Sequence, residues 1–131
     1  NPFYKPEQNN NAAVNTVSNQ TNEVVTTNVS NAVKQDCSNM VSDAELDKLR
    51  RKMFVQNNDN DMIQYAVKYL GKKCITTDQV KLLGSLFSSD YGRYALYDAL
   101  YKYVYDYGNY STLSSQILDP YYKKRFAAML R

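Results

Sequence analysis

Between Ser42 and Arg131 the apolar residues recur every three or four positions and are separated by short polar turns, which is the spacing of amphipathic helices. Thr76 followed three residues later by Gln79 has the form of a capping box, in which hydroxyl and amide side chains satisfy N–H groups that a first helical turn leaves unpaired. That predicts a helix from about Thr77, with Val80, Leu83 and Phe87 on its apolar face and Leu82 and Leu86 flanking them. Ser88, Ser89 and Asp90 break this helix and can cap the next, predicted over about Tyr91 to Tyr105, with Gly108 and Asn109 as its stop. Upstream, Ser42 and Glu45 form a second capping box ahead of Leu46, Leu49, Met53 and Phe54 on one face, which predicts a helix over about 43–55. Asp59 or Asp61 can cap a helix carrying Met62, Ile63, Ala66, Val67 and Leu70 that stops near Gly71. Downstream, Tyr110, Leu113, Ile117 and Leu118 mark a short helix. Asp119-Pro120 then starts a last one whose buried face is Tyr122, Phe126, Met129 and Leu130.

No strand pattern survives this reading, so the expectation is an all-α fold: a small compact bundle of stacked helical hairpins with at least five helices between Ser42 and Arg131. Its core is expected to contain Leu83, Phe87, Leu96, Leu100, Val104, Ile117 and Phe126. Aromatic-Ala steps at Tyr65-Ala66, Tyr94-Ala95 and Phe126-Ala127 form a faint internal repeat, which a short helical array would also produce. Residues 1–40 differ from the helical domain expected over 41–131. They hold ten Asn and much Thr, Ser and Val, a composition that buries too little surface to offset its own ordering. They read as a tether or as a loosely held helix, the latter because Val14, Val17, Val25, Val29, Ala32 and Val33 approximate a helical stripe.

Composition removes several kinds of chemistry. The chain has no His, the commonest general base, nucleophile-activating partner and zinc ligand. The acids at Asp43, Asp47, Asp59 and Asp61 lack the Gly and terminal Glu of a calcium loop and read as helix-capping turns. The four Gly form no phosphate loop. The chain is therefore expected to be no enzyme, with no catalytic residue, no cofactor and no metal. A net charge of +3 is too mild to imply nucleic acid by itself. The basic clusters at Lys48 to Lys52 and Lys123 to Arg125 read as solvated faces, and nucleic-acid binding through them is a weaker alternative. No apolar run reaches the ~18 residues that a membrane span needs.

Tyrosine changes the picture most. There are thirteen, ten of them between Tyr91 and Tyr122. Tyr91, Tyr94, Tyr97, Tyr101 and Tyr105 step by three or four residues and form a ladder. Such a ladder is either a boundary between core and surface, with each hydroxyl reaching water or a partner, or a partner-binding face.

Cys74 to Leu113 resembles the repeated core of the domain-of-unknown-function family 4476, a module found mostly in exported bacterial proteins and in a few animal proteins. The likeness rests on Cys74, Thr76, Gln79 and Val80, on the Leu86-Phe87 pair, on Asp90 and Arg93, and on Tyr105, Asp106, Asn109 and Tyr110. A weaker echo runs from Asp43 to Leu130, and Ser88 stands where relatives often carry a second aromatic residue. The resemblance implies a helical fold, no known activity, no transferable catalytic residue, and export to the periplasm or cell envelope. The opening at Asn1 rather than Met matches the expectation of a cleaved leader. In an exported chain the two cysteines, Cys37 and Cys74, can pair, because both precede helix starts and oxidising compartments favour disulfides. The competing reading makes Cys74 a small buried hydrophobe and Cys37 a free thiol. The functional expectation is a protein-interaction module that binds another envelope protein through its Tyr-rich helix. The alternative is a glycan- or cell-wall-binding accessory domain, in which the same rings stack on sugars.

Overall fold

A computed structural model describes residues 29–130, and among them the chain forms five α-helices, two 3-10 helices and no strand. The α-helices are α1 (Asp43–Phe54), α2 (Asp59–Leu70), α3 (Thr77–Gly84), α4 (Asp90–Leu100) and α5 (Pro120–Met129). The 3-10 helices are Tyr101–Tyr103 and Tyr107–Gln116. The expected all-α bundle is thus the fold. Helix α4 is its hub and packs against α2, α3 and α5, while α1 closes on α2. All seven expected core residues are buried, together with Leu49, Met53, Leu70, Ile75, Tyr97 and Tyr110. The aromatic-Ala steps do not occupy equivalent positions: Ala66 is buried, Ala95 half-buried and Ala127 exposed, as befits helices around a hub.

The helix starts follow from cap chemistry. Both capping boxes form completely, at Ser42 with Glu45 and at Thr76 with Gln79. Ser89 caps α4 by accepting from the Gly92 N–H (3.0 Å), and Asp119 caps α5 by accepting from the Tyr121 N–H (2.9 Å) with Pro120 at the first helical position. For α2 the expectation was wrong by one residue. Asn58 is the cap, its side-chain oxygen accepting from the Asp61 N–H at 2.8 Å, and Asp59 and Asp61 sit in the first turn, where the helix dipole favours negative charge. Gly71 ends α2 at φ +48°, a conformation that a β-carbon would strain.

Three further departures matter for the site. Phe54, expected on the inward face of α1, points outward, because at ~100° per residue Met53 already holds the inward position. Helix α4 ends at Leu100 rather than continuing to Tyr105, because Val104 leaves the helix to pair beside Ile75: Ile75 N–H donates to the Tyr103 carbonyl (2.9 Å) and Tyr105 N–H to the Ile75 carbonyl (2.8 Å). The short helix expected after Tyr110 is instead the tighter 3-10 helix Tyr107–Gln116.

The Ile75 pairing belongs to a seam of extended segments that has no helical character. Cys74 N–H donates to the Asn39 carbonyl, Val41 N–H donates to the Cys74 carbonyl, each at 2.9 Å, and Gln79 Nε2 donates to the Val41 carbonyl at 2.8 Å. Cys37 and Cys74 are joined by a disulfide within this seam, their Cα atoms 5.9 Å apart. Of the N-terminal valine stripe, Val14, Val17 and Val25 lie outside the described residues. Val29, Ala32 and Val33 lie in irregular backbone that runs along 105–108, with Ser30 N–H donating to the Gly108 carbonyl (3.0 Å) and Lys34 N–H to the Tyr105 carbonyl (2.7 Å). That approach needs a glycine: a β-carbon on Gly108 would come within 2.6 Å of the Ser30 carbonyl oxygen.

Candidate functional site

The polar residues that carry the family likeness are occupied by the fold itself. Asp106 accepts from the Thr77 N–H (2.7 Å) and the Thr77 hydroxyl (3.1 Å), so it caps α3 a second time, and Asn109 Nδ2 steadies it from 3.1 Å. Arg93 donates to Asp90 (2.8 Å) and to the Phe87 carbonyl (2.7 Å). The second oxygen of Asp90 accepts from the Leu118 N–H (3.2 Å) and the Asp119 N–H (2.7 Å). The Arg93 hydrogen bond, followed by that from the Asp119 N–H, holds the Asp90 carboxyl below the usual aspartate range. Asp90 therefore ties the start of α4 to the start of α5. The sequence carries no periodic signal for contacts made over 28 or 29 positions, which is why these roles were not legible there.

The tyrosine ladder divides into rings of different duty. Tyr97 is fully enclosed and Tyr94 nearly so, so the ladder is not one continuous contact face. Its middle rungs lie on the side of α4 that meets α5, and Tyr97 packs edge-on to Phe126 at 5.8 Å between ring centres. Burial pushes the Tyr97 hydroxyl up to about 12 and the Tyr110 hydroxyl well above its ordinary value, so both stay protonated at neutral pH. Tyr101 is half-buried and stacked on Tyr110 at 4.8 Å. Tyr105 is half-buried, with its main chain bonded into the seam. Tyr91 is the rung that faces solvent, at 56% exposure.

Around Tyr91 the structure assembles residues from α5 that lie off the ladder: Tyr121, Tyr122, which was expected on the buried face, and Arg125, which was expected on a solvated basic face. Tyr122 sits against Tyr91 (5.7 Å), Tyr94 (5.9 Å) and Tyr121 (4.9 Å). The Arg125 guanidinium lies 5.0 Å over Tyr94 and 5.7 Å over Tyr121, a cation–π arrangement. Tyr121 is 59% exposed and Leu118, just before the α5 cap, is 81% exposed. The sequence signal that could have found this patch is the Tyr-Tyr pair directly after Asp119-Pro120, where a first helical turn has no preceding turn to cover it.

The basic clusters are partly engaged within the fold. Arg51 pairs with Asp47, Lys123 donates to the Ser114 carbonyl at 3.0 Å, and Arg125 lies over the rings just described. Among the described residues no group of three or more Cys, Asp or Glu is placed to hold a metal ion, and no helix is long and apolar enough to cross a membrane. A family model described as "Domain of unknown function (DUF4476)" matches residues 36–130, which takes in the disulfide, the seam and α1 to α5. No curated protein and no solved structure matches the chain.

Proposed function

We propose that this chain, which belongs to the DUF4476 family, is a non-catalytic protein-interaction module of an exported bacterial protein. Its contact surface is the patch formed by Tyr91, Leu118, Tyr121, Tyr122 and Arg125. The observation that carries the reading is this surface itself: exposed rings from two helices, linked by ring contacts and crossed by a guanidinium. Tyr and Arg are the residue types enriched at binding hot spots, and a contiguous apolar surface marks a place where something docks. The Cys37–Cys74 disulfide supports export, because such bonds persist in oxidising compartments. The capping duties of Asp90, Asp106 and Glu45 support a non-catalytic role, since these carboxylates already hold backbone N–H groups.

The test is a capture experiment from an envelope extract with the native chain and a Tyr91→Ser/Tyr121→Ser variant, whose altered side chains are exposed and leave the core intact. A protein retained by the native chain and lost by the variant is the expected result. The same proteins retained by both would remove the patch from consideration. Nuclear magnetic resonance titration with cell-wall glycan fragments covers the sugar-stacking alternative: shifts centred on Tyr91 and Tyr121, with no protein captured, would favour it. Capture of nucleic acid that weakens steeply with salt would instead point to the basic clusters.

A further inference from the structure

A second surface, sharing no residue with the tyrosine patch, lies on the outer side of α1. There an open groove of about 490 Å³ is lined by Asp47, Arg50, Arg51, Phe54, Val55 and Leu86. Its size falls within the roughly 300–1,000 Å³ of ligand clefts. Phe54 and Val55 are 72% and 71% exposed, because Leu46, Leu49 and Met53 fill the inward stripe of α1 and leave the last two apolar residues facing out. Leu86, in the turn after α3, completes the apolar floor.

The rim is basic, and its charges are unequal in duty. Arg51 is paired with Asp47 on the same helix, so its charge is answered locally. Arg50 makes no ion pair among the described residues, and its Nε is shielded from water without a hydrogen-bond partner. A guanidinium is always charged and is built to fork onto a carboxylate.

We propose that this groove binds an acidic amphipathic segment of a partner protein. Two apolar side chains of the segment, three or four residues apart, cover Phe54, Val55 and Leu86, while an Asp or Glu pairs with Arg50. Helix-in-groove recognition uses that spacing, and charge complementarity fixes the orientation. Apolar residues lining a groove rather than a protruding tip favour an inserted segment over an anionic membrane surface, and the vesicle measurement below decides between the two. The proposal is independent of the tyrosine patch, which lies on α4 and α5.

The test is selection of a random phage-displayed library of roughly 16-residue peptides, about four helical turns each, against the intact chain. The expected winners carry two apolar residues at helical spacing and at least one acidic residue. Their synthetic versions should bind Phe54→Ser and Arg50→Gln at least about tenfold more weakly than the native chain, as loss of a hot spot does. Binding to Tyr121→Ser should be unchanged. Phe54 is exposed and Arg50 half-buried, and an unchanged thermal midpoint confirms that both variants fold. The proposal is overturned if no peptide is enriched, if the winners are basic or uncharged, or if they bind either groove variant as well as the native chain. It is equally overturned if the groove residues instead govern binding to phosphatidylglycerol vesicles or self-association of the chain.

Discussion

The seam and the aromatic layer hold the same small domain by opposite means. In the seam, segments around Asn39, Cys74 and Tyr103 are joined by main-chain hydrogen bonds, by Gln79 and by a disulfide. In the layer between α4 and α5, the rings of Tyr97, Tyr110 and Phe126 meet at 5.8–6.4 Å and carry the packing. The difference teaches where each kind of damage should appear. A lost ring leaves a cavity that the neighbours fill poorly, whereas a lost crosslink acts on the unfolded chain.

The largest effect should therefore come from the layer. Phe126→Ala is expected to lower stability by about 3–5 kcal/mol, seen as a fall in the urea midpoint at constant slope. Next comes the seam. Cys37→Ser opens a loop whose ends are separated by 37 positions, and about 2–4 kcal/mol should be lost in the same assay. If reductant leaves the native midpoint unmoved, the seam's hydrogen bonds alone are sufficient and the contrast between the two regions fails.

A finer test lies inside the layer, between two buried hydroxyls. Tyr110 donates to the Tyr97 carbonyl at 2.7 Å, whereas the Tyr97 hydroxyl has no hydrogen-bond partner among the described residues. Tyr110→Phe should cost about 1 kcal/mol and Tyr97→Phe about half that or less, because only the first removes a bond. Equal losses in denaturation would show that the hydroxyls are not distinguished by their partners.

The smallest expected effect concerns acid. The Ser42 N–H, as the leading cause, holds the Glu45 carboxyl below its usual value, and Arg93 does the same for Asp90. A carboxyl lowered in the folded state contributes stability that is fully present above its unfolded value, about 4, and is lost as pH falls through the lowered folded value. Asp90→Asn should flatten that acid-side decline in urea midpoints measured from about pH 5 to about pH 2. An unaltered slope would assign the decline to other groups.

Legibility in the sequence followed the same division. Five helices, two complete capping boxes, the Asp119-Pro120 start and seven core residues could be read from it, because caps and the helical period are encoded within a few adjacent positions. Of the seam only the pairing of Cys37 with Cys74 could be put forward, as one of two readings; its hydrogen bonds could not, because Asn39, Cys74, Tyr103 and Asp106 become neighbours only after the helices have docked, and extended segments bonded through their backbones leave no side-chain period. The same limit explains the tyrosines. Spacing placed Tyr91 to Tyr105 on one line, but the exit of Val104 toward Ile75 ended the helix early, and the burial of Tyr94 and Tyr97 followed from the position of α5. Phe54 was misjudged because adjacent apolar residues at a helix end cannot both face inward.

Asp90, described above as a link between two helix starts, also bears on how costly it is to engage the exposed rings. Tyr91 follows that carboxylate directly, and Tyr121 lies two residues beyond the Asp119 N–H that it accepts. The two rings come from distant parts of the sequence, yet one is the direct neighbour of Asp90 and the other belongs to a helix start whose Asp119 N–H is bonded to the Asp90 carboxylate. Each ring then has only its own two side-chain torsions to fix when a partner arrives, and the spacing between the rings is set beforehand. Association through this patch should therefore forfeit little conformational freedom, which is the condition under which a small contact area yields useful affinity.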